Sequence, residues 1–161
     1  MANFSTRIQV NRPVEHTFRL FLDESVMAHW ISGFKGIEII SGEPRETDSL
    51  YRMVVRYHKE DIQVYQKIIS VKENKSLHIE MEHPEFITHS EIIFIPTGYV
   101  TLVECKVKIK GKTLRIKLGM SLVKAVLENR NQWDYQMFKR IAEDIDAMAK
   151  QEPKRKISRR S

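Results

Sequence analysis

The chain has 161 residues, 42% hydrophobic and 30% charged, with a formal net charge of +6. That is enough chain for one domain with a real core and too much apolar content for global disorder. No apolar run nears the ~20 residues of a membrane-spanning helix, and a single cysteine, Cys105, rules out an internal disulfide.

Phe4, Thr6, Ile8 and Val10 alternate with polar residues and predict a first strand. Pro13 suits a first helical turn, and Val14, Phe18, Phe21 and Leu22 come after it at helical spacing. Asp23 can cap a second short helix carrying Val26, Met27, Trp30 and Ile31, with Gly33 and Gly36 after it. The period then changes to two. Strands are expected around Ile37–Ile40, Ser49–Tyr57, Ile62–Val71, Leu77–Met81, Ile87–Ile95 and Val103–Ile109. The turns between them, such as Lys59-Glu60-Asp61 and Pro96-Thr97-Gly98, are too short for parallel crossovers. The sheet must be antiparallel, and the doubly wound nucleotide-binding folds are excluded. Leu114 to Leu118 either extends the last strand or leads into the last helix. From Ser121 to Ala149 the period becomes 3.6, with Val123, Val126, Leu127, Trp133, Met137, Phe138, Ile141, Ile145 and Met148 on one broad arc.

The expected fold is therefore α+β: a curved antiparallel sheet of about seven strands wrapped around one long C-terminal helix, with two short helices after the first strand. Residues 1–149 form the domain. Residues 150–161 form a basic flexible tail, in which Lys150, Lys154, Arg155, Lys156, Arg159 and Arg160 face one acid, Glu152. Most of the net charge sits there. Solubility is the first reading of such a tail; contact with nucleic acid, a ribosome or an anionic membrane is the second.

This order resembles the START-like, or SRPBCC, superfamily with its helix-grip fold. The resemblance rests on the first strand, on NRPVEHTFRLFLD, on His29-Trp30-Ile31 before Gly33, on the strand ending at Gly42-Glu43-Pro44, on Asp48-Ser49-Leu50-Tyr51 and on the long last helix. It implies a hydrophobic cavity between sheet and helix. The superfamily spans lipid carriers, polyketide cyclases, quinone binders and protein-interaction modules.

The chemistry-bearing motifs are mostly missing. There is no G-x-G-x-x-G, P-loop, G-x-S-x-G or H-E-x-x-H, and the six histidines have no metal spacing. Neither a metal nor a cofactor is expected, and no catalytic residue can be named. His83 and His89 read as solvated loop residues, Cys105 as a buried thiol, and Lys106, Lys108, Lys110 and Lys112 as the outer face of a strand. The last helix is more informative. Arg130 and Asp134, four apart, fall within its apolar arc. Either they satisfy one another, or a strand carbonyl, at the core's rim, or they present a polar end to an apolar ligand. Trp30, Tyr51, Met53, Tyr57, Tyr65, Met81, Trp133 and Met137 are the remaining candidate cavity residues. The expected function is binding of a hydrophobic or amphipathic small molecule (lipid, quinone or polyketide-like) in the cytoplasm. The alternatives are a cyclase or hydratase using Arg130, Asp134 or a tyrosine for proton transfer, and a protein- or ribosome-interaction module.

Overall fold

A computed structural model describes the backbone of residues 1–160 and the side chains of residues 1–144. The chain runs β1 (Ala2–Val10), α1 (Val14–Phe21), a 3-10 helix (Glu24–His29), β2 (Phe34–Ser41), β3 (Leu50–Tyr57), β4 (Glu60–Lys72), β5 (Ser76–Glu82), β6 (Phe86–Thr97), β7 (Val100–Gly111), α2 (Leu114–Leu118) and α3 (Met120–Arg160). The seven strands form one antiparallel sheet in the order β1-β7-β6-β5-β4-β3-β2. Segments adjacent in sequence are thus adjacent in space, as short turns require. Only β1 travels, because the two short helices carry the chain from one edge of the sheet to the other.

Alternation sets the two faces. Ile8 and Val10 of β1, Val103, Cys105, Val107 and Ile109 of β7, Ile92 and Phe94 of β6, and Leu77 and Ile79 of β5 are buried on the inner face. Lys106, Lys108 and Lys110 stand exposed on the outer face. α1 turns Phe18 and Phe21 inward against Phe94, with ring centroids 5.1 and 5.6 Å apart. Asp23 caps the 3-10 helix by accepting from the Ser25 N–H. Tyr135, Phe138 and Ala142 of α3 complete this core.

Three expectations need correction. Leu114–Leu118 is a separate short helix: Thr113 Oγ1 accepts from the Ile116 N–H at its start, and Gly119 closes its end. The buried arc of α3 is also rotated from the one that its apolar spacing predicts. Trp133 is 66% exposed and Val126 faces outward, whereas Tyr135 and Ala142 are buried. Trp133 lies about 140° round the helix from Phe138. Counting large apolar residues weights Trp133 into an arc that is filled instead by a phenol, a carboxylate and an alanine. α3 also continues past Ala149, where the helix predicted from the sequence ends, to Arg160; the side chains of the basic tail lie outside the described residues.

Candidate functional site

The geometry is organised by Ser32, which no pattern in the sequence singles out. It sits in the loop between the 3-10 helix and β2. Its backbone N–H donates to Asp134 Oδ1 at 3.1 Å, and its hydroxyl donates to the same oxygen. Its carbonyl accepts from the Arg130 guanidinium. Arg130 and Asp134 therefore do not satisfy one another, as the i, i+4 spacing suggested; both grip the same residue. One residue on, Gly33 accepts from the Arg56 N–H at 2.7 Å. Gly33 has φ +69°, and a Cβ there would lie 2.1 Å from the Arg56 carbonyl oxygen. Only glycine fits, both for conformation and for space. The loop thus ties α3 to the end of β3.

Burial pushes the Asp134 carboxyl above its usual range, while the bonds from Ser32 and the Arg130 charge pull it back. Arg130 also lies over the Tyr57 ring, 5.7 Å from its centroid.

Beside this knot opens a cleft of about 560 Å³. One wall is Arg56, Tyr57 and His58 at the β3–β4 turn, and the other is Ala125, Val126, Asn129 and Arg130 of α3. Ser32 lies at its end. His58 holds a left-handed φ of 57° in the two-residue turn. The cleft is open and its rim is cationic, so it differs from the closed apolar cavity that the resemblance implied. Arg130 borders it and Asp134 does not.

A second feature lies inside. α3 runs close along β1 but makes no comparable approach to β3, β4 or β5. On the inner face of those strands and the start of β6, Val55, Ile62, Met81 and Phe86 remain only half-buried, and Val123 and Leu127 of α3 are half-buried too. Well-packed apolar residues of a core would be covered.

The remaining candidates scatter. Trp30 is buried against Phe21 and Phe138, with centroids at 5.2 Å in both cases. Met53 is buried on the inner face of β3. Tyr51 is buried as well, and its hydroxyl accepts from the Arg45 N–H at 2.7 Å. Met137 is half-buried. Tyr57 is at the cleft. Tyr65 is a correction: it alternates with buried Val64 and Gln66 and so projects from the sheet's outer face. Trp133 is likewise removed from the interior.

Among the described residues, three buried polar side-chain atoms lack a hydrogen-bond partner: Thr6 Oγ1, Trp30 Nε1 and Asn131 Oδ1. All three relate to Tyr135. Asn131 is one turn before it, the Trp30 ring centroid is 6.2 Å from its ring, and Thr6 is paired across the sheet with Cys105, a neighbour of Tyr135. Burial raises the Cys105 thiol to about 11, against weaker pulls from Tyr135 and Ser90, and raises the Tyr135 phenol well above its ordinary value. At neutral pH both are uncharged hydrogen-bonding groups. Among the described residues, no cluster of three or more metal-ligating side chains occurs.

Solved structures share this architecture. The Zhui aromatase/cyclase from Streptomyces sp. R1128 superposes with a TM-score of 0.76 at 11% identity, over 89% of this chain and 94% of that one. A conserved protein from Geobacillus kaustophilus gives 0.69 at 16% identity, over 88% and 95%. Norcoclaurine synthase from Thalictrum flavum, in complex with dopamine and hydroxybenzaldehyde, gives 0.64 at 12% identity, over 87% and 85%. The chain has the helix-grip fold that these structures share. At such identities the likeness is one of fold. No family model and no curated protein matches the sequence. Among the described residues, no helix is long and apolar enough to cross a membrane.

Proposed function

We propose that the chain reversibly binds an amphipathic small molecule between sheet and last helix. The observation that carries this is a partly covered stretch of the inner face: α3 runs along β1, and Val55, Ile62, Met81 and Phe86 stay half-buried while Met53, Val64, Leu77 and Ile79 beside them are buried. A ligand body placed there would gain about 25 cal/mol for each Å² of apolar surface removed from water. The unpartnered Trp30 N–H and Asn131 carbonyl offer one donor and one acceptor to a polar group held deep. The rim residue Arg130 favours an anionic head, whereas Arg56 is ion-paired with Asp61 at 3.1 Å. The aromatase/cyclase and the synthase of the same fold act on or hold small aromatic molecules, by their names, which supports a ligand of this kind. The raised thiol and phenol favour binding over nucleophilic chemistry.

The test is displacement of an anionic naphthalene fluorophore, with dodecanoate and dodecanol as competitors. Dodecanoate should compete roughly tenfold better, the equivalent of one useful charge contact. Met81→Trp should fill the gap and lose the fluorophore while keeping the thermal transition. Unchanged binding by that variant, or no binding by the native chain, would overturn the reading.

A further inference from the structure

Three leucines stand in water at the junction of the last two helices. Leu114 is 71% exposed, Leu118 80% and Leu122 71%. They recur every fourth residue. They are not the product of a frayed segment. α2 is capped by Thr113 and pinned by buried Ile116, which packs where Gly111 leaves room on β7. The same helix that turns Ile116 inward therefore turns Leu114 and Leu118 outward. Along α3, Val126 and Trp133 fall near the same line, Trp133 within about 20° of Leu122 round the helix axis, with exposed Asn129 between them. Exposed apolar residues scattered singly need no explanation, but a contiguous stripe does.

The surroundings of the stripe select its partner. Between Gly111 and Gly119 the sequence holds Lys112, Arg115 and Lys117 and no acidic residue. Lys112 reaches Glu82 at 2.7 Å and Arg115 lies 3.8 Å from Glu85. Among the described residues, Lys117 makes no ion pair within 4 Å. A second copy of the chain, docked face to face, would set this cationic patch against itself. A nucleic acid would leave the leucines in water. A surface that is negative outside and apolar just beneath accepts both features, and a tryptophan at the far end suits its boundary.

We infer that α2 and the outward face of α3 dock on an anionic lipid bilayer, lying in its interface with Leu114, Leu118 and Leu122 inserted. Ala125, Val126 and Asn129 belong both to this outward side and to the wall of the cleft, so docking sets the cleft's mouth at the lipid surface.

Flotation of the full chain with phosphatidylcholine vesicles containing about 30 mol% phosphatidylserine tests this. The native chain should float with these vesicles, float far less with pure phosphatidylcholine, and be released by about 0.5 M salt. Replacing Leu114, Leu118 and Leu122 together with Ser should cut partitioning at least tenfold while the circular dichroism and thermal transition stay unchanged, since none of the three is buried. Arg115→Glu with Lys117→Glu should reduce it several-fold. The inference is overturned if the native chain does not float. It is overturned if the triple Ser variant floats as well as the native chain, which would assign binding to the basic residues after Ala149. It is also overturned if sedimentation shows a dimer that the triple Ser substitution dissociates, because a second copy would then cover the stripe.

Discussion

From Asp134 to Glu143 the last helix meets structure on every inward side. Phe138 and Ala142 are fully buried, Arg12 donates to the Glu143 carbonyl, and Lys139 bonds to the Gln9 carbonyl at the end of β1. From Met120 to Arg130 the same helix is half-covered inside and bears exposed leucine and valine outside. One continuous helix thus contains a stretch that makes the core and a stretch that borders open space. Composition does not separate them, since both carry large apolar residues. What separates them is the partner offered: Phe21 of α1 and Trp30, just after the 3-10 helix, reach only the later stretch.

The two tryptophans give the strongest test of that difference. Trp30 is 8% exposed and touches Phe21, Tyr135 and Phe138. Trp30→Ala should cost about 3–5 kcal/mol, the usual loss for a large buried aromatic, read as a fall in the urea midpoint with unchanged slope. A loss below about 1 kcal/mol would show that the aromatic cluster is loosely packed.

Next comes the boundary between the stretches. Asp134→Ala leaves the Ser32 N–H and hydroxyl without their acceptor and should cost about 2–3 kcal/mol. Replacing both Arg130 and Asp134 with apolar residues should not be neutral, as it would be for a pair that satisfied only itself, because Ser32 would be stranded. The pH dependence has a definite sign. The folded carboxyl sits above its ordinary 3.8, chiefly through burial. Its contribution to stability is therefore fully present below 3.8 and is lost as pH rises through the raised folded value. Asp134→Asn removes that titration. The native chain should lose stability relative to the Asn variant as pH rises across this window, as measured by urea midpoints. The reverse trend would mean that the bonds from Ser32 outweigh burial.

These two sites also show what is legible in the sequence. The strand order comes from short turns, and the inward turn of Asp134 from its place among apolar neighbours. Ser32 is not legible, because a serine in a loop carries no periodic signal and its partners lie about a hundred residues away. Gly33 is visible as a helix end, but its close approach to Arg56 is a property of the folded backbone. Trp133 misleads because hydrophobicity is only a vote for burial, not a proof of it. Tyr65 misleads because an aromatic strand residue suits either face of a sheet.

Leu127 gives a smaller effect within the loosely covered stretch. It is half-buried and packs at the margin of the core. Leu127→Ala should cost only about 1 kcal/mol, below the 2–5 kcal/mol typical of a fully buried leucine. If apolar ligand fills the adjacent space, the same variant should weaken fluorophore binding by more than it weakens the fold. A full core-sized loss would mean that the inner face is closed.

The smallest effect belongs to Trp133, and its smallness is the point. At 66% exposure, with its neighbours Asn129 and Gln136 also on the outward side, it has little folded-state contact to lose. Trp133→Ser should change stability by no more than about 0.5 kcal/mol, a shift of roughly 1–2 °C in a domain this size. Its fluorescence should separate it from Trp30: the emission that disappears in Trp133→Ser should be the red-shifted, iodide-quenchable part, leaving the shielded Trp30 signal. On anionic vesicles the native red-shifted component should move to the blue, and the Trp133→Ser chain should show no such shift. A loss of several kcal/mol in water alone would place this residue in the core after all, and with it the arc that the apolar spacing suggests.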